Sequence, residues 1–208
     1  MTDHKLQQRL EYLLEEVRAC RACAGQLPFG PRPVLRADAR ARLLVVGQAP
    51  GTRVHETGIP WNDPSGDQLR AWMGVDRDFF YDAGRVAIIP MGFCYPGKGS
   101  GGDLPPRPEC AALWRERLLA LLPAIGLTLV IGRYALDWHL PGMRGSVAER
   151  VARWRECLPD LLPMPHPSPR NRLWLKRHAW FEAEVVPALR RRLAELFPQQ
   201  RFPDWPKG

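Results

Sequence analysis

Four of the five cysteines stand in two pairs. Cys20 and Cys23 form a C-x-x-C, and Cys94 and Cys110 flank fifteen residues that include the Gly- and Pro-rich stretch 96–108. Thiolates from two separate segments can close on one four-coordinate site, which suits a [4Fe–4S] cluster or zinc. Spacing alone leaves both open. Cys157 has no such neighbour in sequence and reads as a core residue. A second group of polar, Gly- and Pro-rich stretches could bind a ligand: Gly47-Gln-Ala-Pro-Gly51, residues 90–94, Gly132-Arg133 and His166-Pro-Ser-Pro-Arg-Asn171. The arginines supply a third chemistry, since a planar guanidinium meets two phosphate oxygens at once.

These stretches gain meaning from the elements expected before them. Short apolar runs at 43–46, 86–89, 127–131 and 161–165 read as buried strands, and each ligand-type stretch follows one of them. Helical periodicity marks 66–73, 108–122, 133–139 and 146–156 between the strands. It also marks an amphipathic helix over 5–19 with Leu6, Leu10, Leu13, Leu14 and Val17 on one side. Residues 25–40 read as a loop. A last helix over about 178–197 carries Phe181, Val185, Leu189, Leu193 and Leu196 inward and Arg190 to Arg192 elsewhere. Strands alternating with helices predict an α/β fold, a three-layer α/β/α sandwich around a short, mainly parallel four-stranded sheet. Ligands in such sheets sit beyond the carboxyl ends of the strands, where the polar stretches fall.

The 208 residues suit one domain over 1–208, and eight Trp and seven Phe require a packed interior. The longest apolar run, 118–132, is interrupted by Pro123 and Gly126 and is shorter than the roughly 20 residues a bilayer needs. With no secretory pattern at the start, the expectation is a cytoplasmic protein with reduced cysteines and no membrane partner. The formal charge is +8, and the segment 170–201 holds eight basic against three acidic residues. A basic face near the C-terminus would meet nucleic acid.

Five stretches in order resemble the uracil-DNA glycosylases, most closely the iron–sulfur branch called family 4. They are Cys20-Arg-Ala-Cys23, the Gly47–Gly51 loop, Gly58-Ile-Pro-Trp61, the pair Cys94 and Cys110, and His166-Pro-Ser168. The extended form ending at Asn171 is similar to the last motif of the single-strand-selective monofunctional uracil glycosylases. The resemblance runs from Cys20 to about Leu189 and implies a monofunctional DNA glycosylase that flips a deaminated base out of DNA, with water as the nucleophile. By that resemblance His166 donates to the departing base; Gln48 and His55 complete the expected catalytic set. Backbone amides at Gln48 and Ala49 hold the base and Trp61 stacks on it. Pro167, Ser168, Arg170 and Asn171 contact DNA, the last two filling the vacated gap. Cys20, Cys23, Cys94 and Cys110 carry a [4Fe–4S] cluster, with zinc the alternative, and the partner is DNA, met as a monomer.

The sequence also departs from that pattern. Gln48 stands where the branch has Glu, Ala49 where the best-known branch has a water-activating Asp, and Pro90 where the uracil-reading Asn would be. A relaxed or different base choice is therefore expected, with His55, Glu56 and Asp63 available to position water. Two other readings follow from the same departures. One is a module that binds damaged or single-stranded DNA with little turnover; the other is covalent capture at a histidine such as His55.

Overall fold

Residues 3–205 are described in a computed structural model; the single-domain expectation over 1–208 extends beyond them at both ends. In chain order the helices and strands are α1 (Asp3–Arg18), β1 (Leu43–Val46), α2 (Thr52–Thr57), α3 (Pro64–Met73), α4 (Arg77–Tyr81) and β2 (Val86–Ile88). A two-stranded hairpin follows, β3 (Lys98–Gly99) and β4 (Gly102–Asp103), then α5 (Pro108–Cys110) and α6 (Glu116–Leu119). The remainder is β5 (Leu127–Ile131), α7 (Arg133–His139), α8 (Val147–Ala152), β6 (Leu161–Met164), α9 (Arg172–Arg177) and α10 (Val186–Leu196). π-helical turns at Ala111–Arg115 and Phe181–Val185 lead into α6 and α10.

The central sheet has the order β2-β1-β5-β6 and all its pairings are parallel. Successive strand side chains face opposite ways, and helices cover both faces, so the strands of this sheet are apolar on both sides except at Thr128 of β5. Leu43, Val45, Val86, Ile88, Leu127, Leu129, Ile131, Leu162 and Met164 join one core with α3, α4 and α10. Leu44, Val46, Ala87 and Val130 join the other with the leucines of α1, Leu118 and α7's Ala135 and Leu136. This is the expected three-layer sandwich. β6 tolerates Pro163 because it is an edge strand with one neighbour.

The elements that position the site have local causes. Asp63 caps α3 through Gly66 N–H (2.8 Å), and Pro64 occupies the first turn, where its missing N–H is harmless. Gly74 ends that helix at φ 71°. The chain runs from β1 to β2 on one side of the sheet and then returns to place β5 on the other. The crevice where that order reverses lies at the carboxyl end of β1. No helix among the described residues is long and apolar enough to cross a membrane.

Candidate active site

A pocket of about 420 Å3, open mouth included, lies in that crevice. It is lined by the Gly47–Gly51 loop after β1, Pro90 after β2, His166 after β6, and Trp61 and Asp63 before α3. Gly47 is a matter of space: a Cβ there would stand 2.7 Å from the Trp61 ring. Trp61 has φ 56°, a left-handed conformation that costs a non-glycine residue of order 1–3 kcal/mol. Its surroundings impose it. Arg70 Nη1 donates to the Trp61 carbonyl (3.2 Å), and Gly66 makes room, since a Cβ there would lie 1.8 Å from that oxygen. The ring is thereby stacked on His166 at a centroid distance of 5.6 Å and an angle of 29°.

Burial holds the His166 imidazole below its ordinary pKa, opposed by the negative charges of Asp63 and Asp103. The ring is therefore neutral at neutral pH, able to donate from one nitrogen without carrying a charge. Its loop is tied to itself. Asn171 Nδ2 donates to the His166 carbonyl (2.7 Å), Asn171 N–H donates to Ser168 O (2.8 Å), and Arg170 N–H donates to Ser168 Oγ (3.3 Å). Asn171 is thus engaged inside the loop, while Arg170 is exposed and Pro167 is buried.

The structure brings together Gln48, Ala49, Trp61 and His166 on the pocket wall, with Pro90 and Asp63 beside them. Gln48 Nε2 is turned to the Leu104 carbonyl (3.0 Å) of the segment after β4. His55 goes elsewhere. Its ring meets Phe29 (5.9 Å) and Tyr95 (6.0 Å), its Nδ1 is buried with no partner among the described residues, and Val54 is the member of α2 that lines the pocket. Glu56 is exposed, and its carbonyl accepts from Arg32 (3.0 Å).

Three residues that motif reading passed over also stand here. Asp103, on β4, is electrostatically coupled to His166. Leu173, one residue into α9, is 67% exposed amid Arg172, Lys176 and Arg177. Arg115 is fully buried behind Pro90 and donates to the carbonyls of Ile89 (3.3 Å) and Pro90 (3.2 Å) and to His139 Nε2 (2.7 Å). The glycines of 97–102 signalled the turn that carries Asp103. An apolar residue within a basic run signalled Leu173. Nothing in the sequence marked Arg115.

Cys23, Cys94 and Cys110 are buried and Cys20 is half-buried. Cys23 packs with Leu27 and Cys94, and Phe93 N–H points at Cys110 Sγ (3.5 Å). Burial pushes the Cys94 thiol up to about 11 and that of Cys110 up to about 12, with the charges of the other cysteines adding to the effect. Cys157 lies apart, beside Arg153 and Glu156. The thiols of Cys20, Cys23, Cys94 and Cys110 lie near enough for their charges to act on one another, and soft donors of this kind are what an iron–sulfur cluster or zinc takes. Among the described residues, no group of three or more His, Cys, Asp or Glu is arranged as it stands to hold a metal ion.

The family model described as the uracil DNA glycosylase superfamily matches residues 35–190. The chain belongs to that superfamily. Members of the uracil DNA glycosylase superfamily are DNA glycosylases, enzymes of DNA repair. The match covers the pocket loops, Trp61 and the His166–Asn171 stretch, together with Cys94 and Cys110; Cys20 and Cys23 precede it.

Proposed function

We propose that this member of the superfamily is a monofunctional glycosylase that hydrolyses the N-glycosidic bond of a deaminated base in DNA. The observation that carries the reading is the convergence of Trp61, the Gly47–Gly51 loop and a neutral His166 on one pocket at the strand ends. A flipped base stacks on the Trp61 ring and meets the backbone of residues 48–49. As the bond breaks, negative charge grows on the base, and His166 donates to its carbonyl oxygen. A preorganised donor of this kind is worth about 3–4 kcal/mol. Positive charge grows on the sugar, and water adds there. No lysine is among the residues that line the pocket, which favours water over a Schiff-base nucleophile.

Pro90 gives the pocket neither an amide side chain nor a backbone N–H with which to read a base edge. Uracil is for that reason one substrate class among several, with hypoxanthine and xanthine beside it. Oligonucleotides carrying each base are expected to yield an abasic product from at least one, and His166→Ala to slow it by about 100- to 1,000-fold. Absence of product across the whole panel would overturn the reading. The second reading, a DNA-binding module, rests on the 47–51 loop having no carboxylate; it predicts binding that survives His166→Ala with no turnover to lose.

We further propose that Cys20, Cys23, Cys94 and Cys110 hold a [4Fe–4S] cluster, zinc being the alternative. Such a group would cross-link the segment after α1 to both ends of the 94–110 segment. Burial that penalises the thiolates of Cys23, Cys94 and Cys110 is offset when a cation shares their charge. Anaerobically purified protein is expected to be brown and to contain iron and acid-labile sulfide. A colourless, folded protein holding stoichiometric zinc would refute the cluster.

A further inference from the structure

Hydrolysis needs a group to hold the water and accept its proton, and a carboxylate is a common choice. The Gly47–Gly51 loop contains none. Two carboxylates act on His166 through space, those of Asp63 and Asp103. Asp63 is already engaged, since its Oδ1 accepts from Gly66 N–H (2.8 Å) as the cap of α3. Asp103 is exposed, and among the described residues its carboxylate has neither a hydrogen bond nor an ion pair.

The β3–β4 hairpin that carries Asp103 is held between the two loops of the site. Gln48 Nε2 donates to the Leu104 carbonyl, and Leu104 N–H donates to Gly97 O (2.9 Å), which closes the hairpin's base. On one side a Cβ at Gly51 would stand 3.4 Å from Asp103 Oδ2; on the other a Cβ at Gly102 would stand 2.7 Å from Arg170 Nη1. The segment between Cys94 and Cys110 therefore brings a carboxylate that is unpaired among the described residues to the edge of the base pocket, beside Gly51 of the loop.

We propose that Asp103 is the carboxylate that holds the attacking water, an inference that rests on the glycosylase reading above. The water oxygen bonds to the sugar C1′ while the C1′–N bond breaks and its electron pair leaves with the base. One water proton passes to the Asp103 carboxylate and then to solvent, and the anionic base, stabilised by His166, takes a proton from solvent. The products are a free base and an abasic sugar.

The test compares Asp103→Asn, Asp103→Glu and Asp63→Asn under single turnover, on whichever base the wild type removes, with DNA affinity measured at the same salt. Asp103→Asn is expected to lower the rate by about 100-fold or more at unchanged affinity, and Asp103→Glu to restore part of it. A bracing role would instead weaken affinity, and Glu would not restore the rate. Asp103→Asn within about threefold of the wild type overturns the proposal alone, as does a loss confined to Asp63→Asn. A wild type inactive on the full panel overturns the glycosylase reading and this inference together.

Discussion

At the scale of single residues, the site depends on a contact between a glycine and an indole. Gly47→Ala would place a methyl group 2.7 Å from the Trp61 ring, which must then move off the 5.6 Å stack with His166. The ring is partly buried at the pocket wall, packed against the margin of one core and not within it, so the cost should fall mainly on activity. We expect excision to drop at least about tenfold, or about 1.4 kcal/mol in the barrier, with a change in unfolding free energy of about 1 kcal/mol or less. Single-turnover rates and urea denaturation of the same variant check both halves. The motif pattern made the meeting of Trp61, the 47–51 loop and His166 legible, because each follows or precedes an element of clear periodicity. It could not make the positive φ of Trp61 legible, since that angle is imposed by Gly66 and Arg70 from α3. His55 was equally unreadable: α2 is six residues long, and which of its side chains turns inward is decided by packing. Asn171 reads as a free wedge only until the His166 carbonyl, left without a partner by the prolines around it, is seen to take its amide. Leu173, beside that loop, is 67% exposed.

Among the elements, the strands were the most readable. Runs that are apolar on both faces have few other interpretations once helices flank them, and 43–46 and 127–131 match their expected ends. The short helices α2, α4 and α9 and the two-residue strands of the hairpin are below the length at which periodicity can speak. Periodicity over 108–122 does not mark where the helix changes: it ends at Leu119 and contains a π turn directly after Cys110, at whose end Arg115 is buried. Among the described residues that guanidinium has no carboxylate partner. Burial lowers its pKa to about 10, and burial together with the Arg115 charge lowers that of His139 to about 3. The folded protein thus keeps His139 neutral down to acid pH, whereas the unfolded chain protonates it near the ordinary value of about 6.5. The unfolded state binds the extra proton, so stability is present above about pH 6.5 and falls as the pH drops below it. From pH 7 to 5 this one group accounts for about 2 kcal/mol, and His166, also depressed, acts in the same direction. The depressed carboxylates Asp38, Glu109, Glu149 and Glu156 lose their contribution only at lower pH. His139→Gln retains an acceptor for Arg115 and does not titrate. Urea unfolding at pH 7 and pH 5 should therefore give a pH dependence smaller by about 2 kcal/mol for the variant; equal slopes would contradict a buried neutral His139.

Across the whole molecule, the question is which part of the +8 charge is free to meet a phosphate backbone. The sequence located the excess near the C-terminus, but counting charge there overstates what is available. Arg190 is buried and donates to the carbonyls of Ala71, Trp72 and Pro203, tying α10 to α3 and to the chain that follows it. Arg192 donates to the carbonyls of Pro159 and Gly126 and pairs with Glu195. These side chains stabilise the fold by satisfying carbonyls at loop ends, a use that composition cannot distinguish from phosphate binding. Arg170, Arg172, Lys176 and Arg177 are different: they are exposed on and just before α9, continuous with the loop that carries His166. DNA seated over the pocket would release one counterion for each phosphate such a side chain neutralises, so log affinity falls with log salt in proportion to their number. Alanine at Arg172, Lys176 or Arg177 should lower that slope by about 0.7–0.9 per residue, and the triple variant by about 2–3, alike for every sequence tested. Arg192→Ala should leave the slope unchanged while lowering stability by about 1–2 kcal/mol, because its loss exposes two carbonyls and no phosphate partner. Fluorescence anisotropy over a salt series, paired with urea denaturation, separates the two classes of arginine. A slope that drops for Arg192→Ala and not for the α9 variants would place the DNA on the other side of α10 and away from the pocket.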